Sequence, residues 1–149
     1  IAQGRKIYNE FTFEVFFEDE ILVGAIDRLV VHQNGFDLID YKITSRHQPD
    51  EDLLQRYQHQ IYFYAWALGR FEPRAKGKTR AWLVQISPKA VRPIEVSLPT
   101  WLAEQAQHDL HMREHIAELN RVIQSSAARA QKCSYCEHCE LKKKGCPLY

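Results

Sequence analysis

Alternating apolar and polar positions predict three strands in the first third of the chain. From Glu10 to Glu18 an apolar side chain occupies every second position, as in a strand with one buried face. The segments Ile21–Val31 and Phe36–Ile43 are rich in β-branched and apolar residues. The short acidic segment between the first two strands predicts a turn that pairs them.

The dipeptide Asn34-Gly35 separates the second and third predicted strands. Asn and Gly tolerate the positive φ angles of a two-residue type I′ turn, so the sequence predicts a tight hairpin. With these two residues as the loop, Asp27 pairs with Lys42, and Asp40 lies two positions earlier on the same strand. The three side chains then share a face, where two carboxylates can hold one hard cation beside an amine.

A helix is predicted from Asp50 to Gly69. Its first turn is acidic, which suits the positive end of the helix dipole. Apolar residues then recur at helical spacing up to the glycine. Gln60 and Tyr64 are four positions apart, so they share a face of this helix.

Two further strands and a long helix complete the pattern. Thr79–Ile86 has the dense apolar centre of a strand inside a sheet, and Ala90–Leu98 follows as its antiparallel neighbour. Pro93 cannot donate a hydrogen bond to a ladder, so this neighbour is predicted at an edge. Thr100 is predicted to cap a helix that continues to about Ala128.

All four cysteines lie close together near the end of the chain, at Cys133, Cys136, Cys139 and Cys146. In a cytoplasmic protein such closely spaced thiols are metal ligands more often than disulfides. The overlapping C-x2-C pairs are typical of an iron–sulfur cluster, and four thiolates also suit a structural Zn²⁺, with His138 as a substitute ligand. A tail without metal is the third alternative.

Composition narrows the class of protein but does not identify its activity. The 149 residues, of which 45% are hydrophobic, suit one domain with a single core. A net charge of +1 gives no overall signature of nucleic-acid binding. No apolar run in the sequence is long enough to span a membrane, so we expect a cytoplasmic protein. The chain begins at Ile1 without an initiator Met, and we expect a fragment that lacks its N-terminal part.

Three short motifs occur in a defined order on elements that are predicted independently. They are Gly24-Ala25-Ile26-Asp27-Arg28 on one strand, Asp40-Tyr41-Lys42 on the next, and Gln60 with Tyr64 on the following helix. Together they resemble the PD-(D/E)xK nuclease superfamily, and most closely its RecB-like branch. The resemblance implies an α/β fold with a restriction-endonuclease-like core, in which helices flank a central mixed β-sheet.

The resemblance also implies roles for these residues. Asp27, Asp40 and the backbone carbonyl of Tyr41 would bind Mg²⁺ or Mn²⁺. Lys42 would orient or deprotonate the attacking water and offset charge on the phosphate. The remaining two motif residues would lie near the metal site or its bound phosphate. The implied catalytic set is Asp27, Asp40, Lys42, Gln60 and Tyr64.

The cysteine-rich tail is similar to that of AddB-type and CRISPR-associated adaptation nucleases, which close their domain with a [4Fe-4S] cluster. In those relatives one cysteine precedes the nuclease core, whereas no cysteine precedes Cys133 here. Either the four cysteines form a complete site, or an upstream ligand is missing together with the upstream His that RecB-like enzymes contribute. We predict a nuclease core at residues 1–130 and a metal-cluster tail at residues 131–149 packed on it.

Three functions remain open from the sequence. The first is a Mg²⁺- or Mn²⁺-dependent DNA nuclease, expected to be an exonuclease, that acts in repair, recombination or CRISPR adaptation. The second is a DNA-binding or helicase-associated module of the same fold without independent cleavage, and the third is a non-catalytic metal-cluster protein. The complete set of Asp27, Asp40 and Lys42 favours the first. DNA and a helicase or recombination protein are the partners that the resemblance implies.

Overall fold

The structure, a computed structural model, describes residues 5–100 and 105–124 and shows there a mixed β-sheet and two α-helices. The elements are β1 (Lys6–Phe17), β2 (Glu20–His32), β3 (Gly35–Ile43), α1 (Asp50–Phe71), β4 (Thr79–Ser87), β5 (Ala90–Val96) and α2 (Gln105–Gln124). A short 3-10 turn at Pro73–Ala75 connects α1 to β4.

The five strands lie side by side in the order in which they occur in the chain. β1, β2 and β3 pair antiparallel through tight turns. β3 and β4 are parallel, because α1 carries the chain back along the sheet between them. β5 is antiparallel to β4 and forms an edge, as Pro93 predicted. The predicted mixed sheet with helices, of the restriction-endonuclease-like class, is therefore confirmed.

The bounds of β2, β3 and β4 lie within one residue of the predicted ones, whereas those of β1, α1 and β5 differ more. β5 ends at Val96, two residues before its predicted end. β1 begins at Lys6 and not at Glu10, so the polar segment before the predicted strand also pairs with β2. The acidic turn is confirmed, because Phe17 pairs with Glu20. α1 begins at Asp50 as predicted and continues beyond the predicted end.

The hairpin of β2 and β3 forms, but its predicted register is wrong. His32 pairs with Gly35, so the turn residues are Gln33 and Asn34 instead of Asn34 and Gly35. The observed pairing is displaced by an even number of positions from the predicted one. Because side chains alternate with a period of two, every side chain of β3 keeps the face that was predicted for it.

Gly35 is required by a close backbone approach and not by the turn. The N–H of Phe36 donates a 2.9 Å hydrogen bond to the carbonyl oxygen of Lys78, which precedes β4. A Cβ atom on Gly35 would clash with that same oxygen, and the residue has a positive φ of 149°. The glycine therefore lets β3 and β4 meet at the start of their parallel ladder.

The buried face of β2 changes part-way along the strand. Ile26 and Leu29 are both buried although they are three positions apart, which strict alternation does not allow. The change falls at Asp27. Glu10, the facing residue on β1, has a positive φ of 51° that is uncommon for a side chain other than glycine. Asp27 thus lies at a local distortion of the kind that reorients side chains in sheets.

α1 covers one face of the sheet and supplies much of its core. Phe13 of β1 packs against Phe63 and Tyr64 of the helix, with ring centroids 5.6 and 5.9 Å apart. Gly24 lies beneath this ring, and a Cβ atom there would overlap Phe13. The buried residues of the helix are Leu53, Ile61, Tyr64, Ala65, Trp66, Ala67, Leu68 and Gly69.

The chain divides between His108 and Asp109 into two compact units. The first contains the whole sheet and α1, and the second contains most of α2. Among the described helices, none combines the length and the apolar character that crossing a membrane requires. The predicted tail at residues 131–149 and the predicted helix end at Ala128 lie outside the described residues.

Candidate active site

The predicted Asp-x-Lys sequence forms an ion pair on β3. Asp40 and Lys42 are alternate residues of the strand, so both side chains point to the face that α1 covers. Oδ2 of Asp40 lies 2.8 Å from Nζ of Lys42, and the two side chains are 2% and 17% exposed. The ammonium group therefore offsets part of the cost of burying the carboxylate.

Burial raises the pKa of Asp40, because removal from water disfavours the charged form of the carboxyl group. The hydrogen bond and the positive charge of Lys42 oppose this rise, while the negative charge of Asp27 adds to it. A divalent cation close to both carboxylates would relieve the same repulsion and favour the charged form.

Asp27 reaches this place from β2. Arg28 pairs with Ile39, which brings Asp27 level with Asp40. The predicted partner of Asp27 was Lys42, two positions later on β3. Oδ2 of Asp27 accepts a 2.7 Å hydrogen bond from the backbone N–H of Tyr41. The side chain thus takes the place of a strand partner where the β2–β3 ladder ends, and its carboxylate is fixed against β3.

Hydrogen bonds connect Lys42 to α1. Nζ of Lys42 donates to Oε1 of Gln60 at 3.0 Å, and Nε2 of Gln60 donates to the hydroxyl oxygen of Tyr64 at 2.6 Å. Gln60 and Tyr64 share a helix face, as their spacing predicted. The amide of Gln60 uses both its acceptor and its donor, so the position of the lysine depends on the helix.

Two residues beside Lys42 are not part of the three motifs. The ring centroid of Tyr57 lies 4.3 Å from Nζ of Lys42, which is a cation–π contact. Tyr57 precedes Gln60 by about one helical turn, and this spacing is the signal that identifies it. Gln85 stands beside Lys42 on β4 and is buried, but a single glutamine in an apolar strand gives no signal in the sequence.

The donors at this place fit a hard divalent cation. Asp27 and Asp40 are close enough for their charges to interact. Magnesium is commonly bound through one or two carboxylates, with water and substrate phosphates as its other ligands. Within residues 5–100 and 105–124, no group of three or more His, Cys, Asp or Glu side chains could hold a metal ion. A cation at this pair would therefore need other oxygen ligands.

The other predicted site residues are placed as follows. The side chain of Tyr41 points away from α1 and is 36% exposed, so this residue can join the site only through its backbone. The predicted cysteine ligands lie outside the part of the chain that the structure describes. They are Cys133, Cys136, Cys139 and Cys146, together with the alternative ligand His138.

A family model for the PD-(D/E)XK nuclease superfamily matches residues 2–143. The chain belongs to this superfamily. The superfamily is named after an acidic residue followed by a (D/E)-x-K sequence, which is the pattern of Asp27 and of Asp40-Tyr41-Lys42 in this PD-(D/E)XK protein. Membership supports assignment as a nuclease.

One solved structure, titled "Crystal structure of SSO0001", has a TM-score of 0.58 and 19% sequence identity to this PD-(D/E)XK protein. The alignment covers 95% of this chain and 60% of that chain, so the present sequence spans about three fifths of its structural relative. At this level of identity the likeness shows a common fold. A comparison with curated protein sequences finds no match.

Proposed function

We propose that the chain is a Mg²⁺- or Mn²⁺-dependent deoxyribonuclease that hydrolyses phosphodiester bonds. One observation carries the proposal: Asp27 and Asp40 meet beside Lys42, and the ammonium group of this lysine is held by Gln60. Burial of a carboxyl group with a raised pKa is costly and is typical of functional sites. A domain that only bound DNA would not need this arrangement.

The side chains have separate tasks in the proposed reaction. A divalent cation held by Asp27, Asp40 and the backbone carbonyl of Tyr41 would supply a more acidic water and neutralise charge on the phosphate. Lys42 orients the attacking water and stabilises the negative charge that develops on the phosphate oxygens. Gln60 holds the ammonium group in position for this task.

Tyr64 positions Gln60 and does not contact Lys42 through any hydrogen bond that the structure shows. Its hydroxyl oxygen accepts the hydrogen bond from Nε2 of Gln60, which fixes the orientation of the amide so that Oε1 faces Lys42. Tyr64 is also packed against Phe13 and is buried, so the hydroxyl group is held rigidly. The aromatic core thereby sets the position of the lysine.

The test of this function is Lys42→Ala on the full chain, assayed on end-labelled linear DNA with Mg²⁺ or Mn²⁺. We expect cleavage to fall by about 10²–10⁴-fold, because the variant loses the group that orients water and offsets charge. Lys89→Ala is the matched control, since Lys89 is an exposed lysine in the turn between β4 and β5. Cleavage by Lys42→Ala at the level of the control would contradict the mechanism.

We propose further that cleavage is exonucleolytic and that the chain is of the RecB-like branch, acting in DNA repair, recombination or CRISPR adaptation. The order and spacing of the three motifs support this proposal. An exonuclease should degrade linear DNA and leave covalently closed circles intact. A chain that binds DNA but cleaves neither form at any Mn²⁺ concentration would instead be a helicase-associated or DNA-binding module.

We also propose that Cys133, Cys136, Cys139 and Cys146 bind a [4Fe-4S] cluster that stabilises the end of the chain. Support comes from the C-x2-C spacing and from the likeness of the tail to AddB-type nucleases. Iron, sulfide and zinc should be quantified in protein purified without oxygen. Four iron atoms per chain are expected, whereas one zinc and no iron would establish the zinc alternative.

A further inference from the structure

A polar cleft lies between the loop that follows β3, the strand of Asp40 and Lys42, and the first two turns of α1, the helix of Gln60 and Tyr64. Its volume is about 580 Å³. Its walls carry two guanidinium groups, two amides, an imidazole and one carboxylate. These belong to Arg46, Arg56, Gln48, Gln55, His47 and Asp52.

The two arginines of the cleft are available to a ligand. Arg46 and Arg56 are both exposed, and neither forms an ion pair or hydrogen bond with any residue that the structure describes. The nearby acid Asp50 is already bound, since its Oδ2 lies 2.9 Å from the guanidinium group of Arg92. Asp52 is the one acidic side chain in the described lining, so the cleft has an excess of positive charge.

The loop that forms one wall is anchored where it leaves the sheet. The N–H of Thr44 donates to the carbonyl oxygen of Ile86 at 2.9 Å, and its hydroxyl group accepts from Nε2 of the buried Gln85 at 3.2 Å. Thr44 is two residues after Lys42. On the other wall, Arg56 immediately precedes in sequence Tyr57, whose ring touches the ammonium group of Lys42. Both walls of the cleft therefore continue directly into elements that carry residues of the candidate active site.

We infer that this cleft binds a single DNA strand next to the phosphate that is cleaved, an inference that rests on the proposed nuclease function. Arg46 and Arg56 bind backbone phosphates, for which guanidinium groups are suited by charge and geometry. Gln48 and Gln55 offer both donors and acceptors, which match the edges of bases that are not paired. A volume of about 580 Å³ is in the range of sites that hold one small ligand, and it suits about one or two nucleotides.

The experiment measures binding of the full chain, without divalent metal, to a fluorescent oligothymidylate and to a hairpin duplex of equal charge. Arg46→Ala and Arg56→Ala should each weaken binding of the single strand by about 3–10-fold at ~0.1 M salt. A plot of log affinity against log salt concentration has a negative slope. Each variant should make this slope shallower by about 0.7, the value for one phosphate contact on a single strand. Gln48→Ala should weaken binding without changing this slope.

Arg74→Ala is the matched control, because Arg74 is an exposed arginine that pairs with Glu72 next to the 3-10 turn. Its binding should equal that of the wild type, and thermal unfolding should show that all variants are folded. The inference is overturned if Arg46→Ala and Arg56→Ala bind like the control, if only duplex binding weakens, or if the wild type does not bind single strands. If cleavage is absent while these binding effects hold, the proposed nuclease function is wrong, but the cleft is still a binding site for single strands.

Discussion

The contact between Tyr57 and Lys42 gives a prediction that does not depend on the reaction. Nζ of Lys42 lies 4.3 Å from the centroid of the Tyr57 ring, and the lysine side chain is only 17% exposed. Cation–π contacts stabilise proteins by about 0.5–1 kcal/mol at exposed sites and by about 2 kcal/mol when water is excluded. For this largely buried ammonium group we expect about 1–2 kcal/mol.

A double-mutant cycle measures this value. The free energy of unfolding in urea is determined for the wild type, Tyr57→Leu, Lys42→Ala and the double variant, and the coupling energy is the part that is not additive. A second cycle uses Tyr57→Phe in place of the wild type, and Tyr57→Phe with Lys42→Ala in place of Lys42→Ala alone. Tyr57→Phe keeps the ring and removes the hydroxyl group. Because the ring face makes the contact, this cycle should give the same coupling energy as the first.

The same contact should affect catalysis if the chain is a nuclease. Loss of about 1–2 kcal/mol from the positioning of Lys42 corresponds to a fall of about 5–30-fold in single-turnover cleavage by Tyr57→Leu. Tyr57→Phe should cleave at nearly the wild-type rate. A coupling energy below about 0.3 kcal/mol, which is within the scatter of additive pairs, would refute the reasoning.

Three further predictions concern the site and its support. Because the pKa of Asp40 is raised, its carboxyl group stays protonated to a higher pH than an ordinary carboxyl group. Mn²⁺ binds the deprotonated form, so its affinity, measured by calorimetry, should rise as the pH increases and Asp40 loses its proton. A constant affinity between pH 4 and 8 would contradict this prediction. Gly24→Ala should lower the free energy of unfolding by about 1–3 kcal/mol, since the new methyl group overlaps the ring of Phe13, and adding Phe13→Leu should restore part of the loss. Gln60→Leu removes the acceptor for Lys42, and cleavage should fall by about tenfold or more with little change in Mn²⁺ affinity; equal losses of both would show that the glutamine supports the metal site instead.

Much of the fold could be predicted because its strands and its long helix carry strong periodic patterns. The faces of Asp40 and Lys42 were also predictable, although the register of the hairpin was not. A displacement by an even number of positions leaves every side chain on its predicted face, so the two residues still point to α1. The shared face of Gln60 and Tyr64 follows from their helical spacing. That this face meets Lys42 also depends on the direction in which the helix crosses the sheet.

The errors have a common physical origin in contacts between distant parts of the chain. The sequence pattern predicts Gly35 as a turn residue, whereas in the structure the backbone of Lys78 leaves no room for a side chain there. The change of buried face at Asp27 depends on the conformation of Glu10 on the neighbouring strand. Neither effect leaves a local pattern in the sequence, because each is determined by a partner that only the folded chain brings near.

The motif residues of the site come from one uninterrupted stretch of the polypeptide, Asp27 to Tyr64, since α1 is itself the connection between the two parallel strands. The hydrogen bonds among these groups join residues that are only 14, 18 and 4 positions apart in the sequence. Closing loops of this length costs little chain entropy, so we expect these contacts to form early as the chain folds.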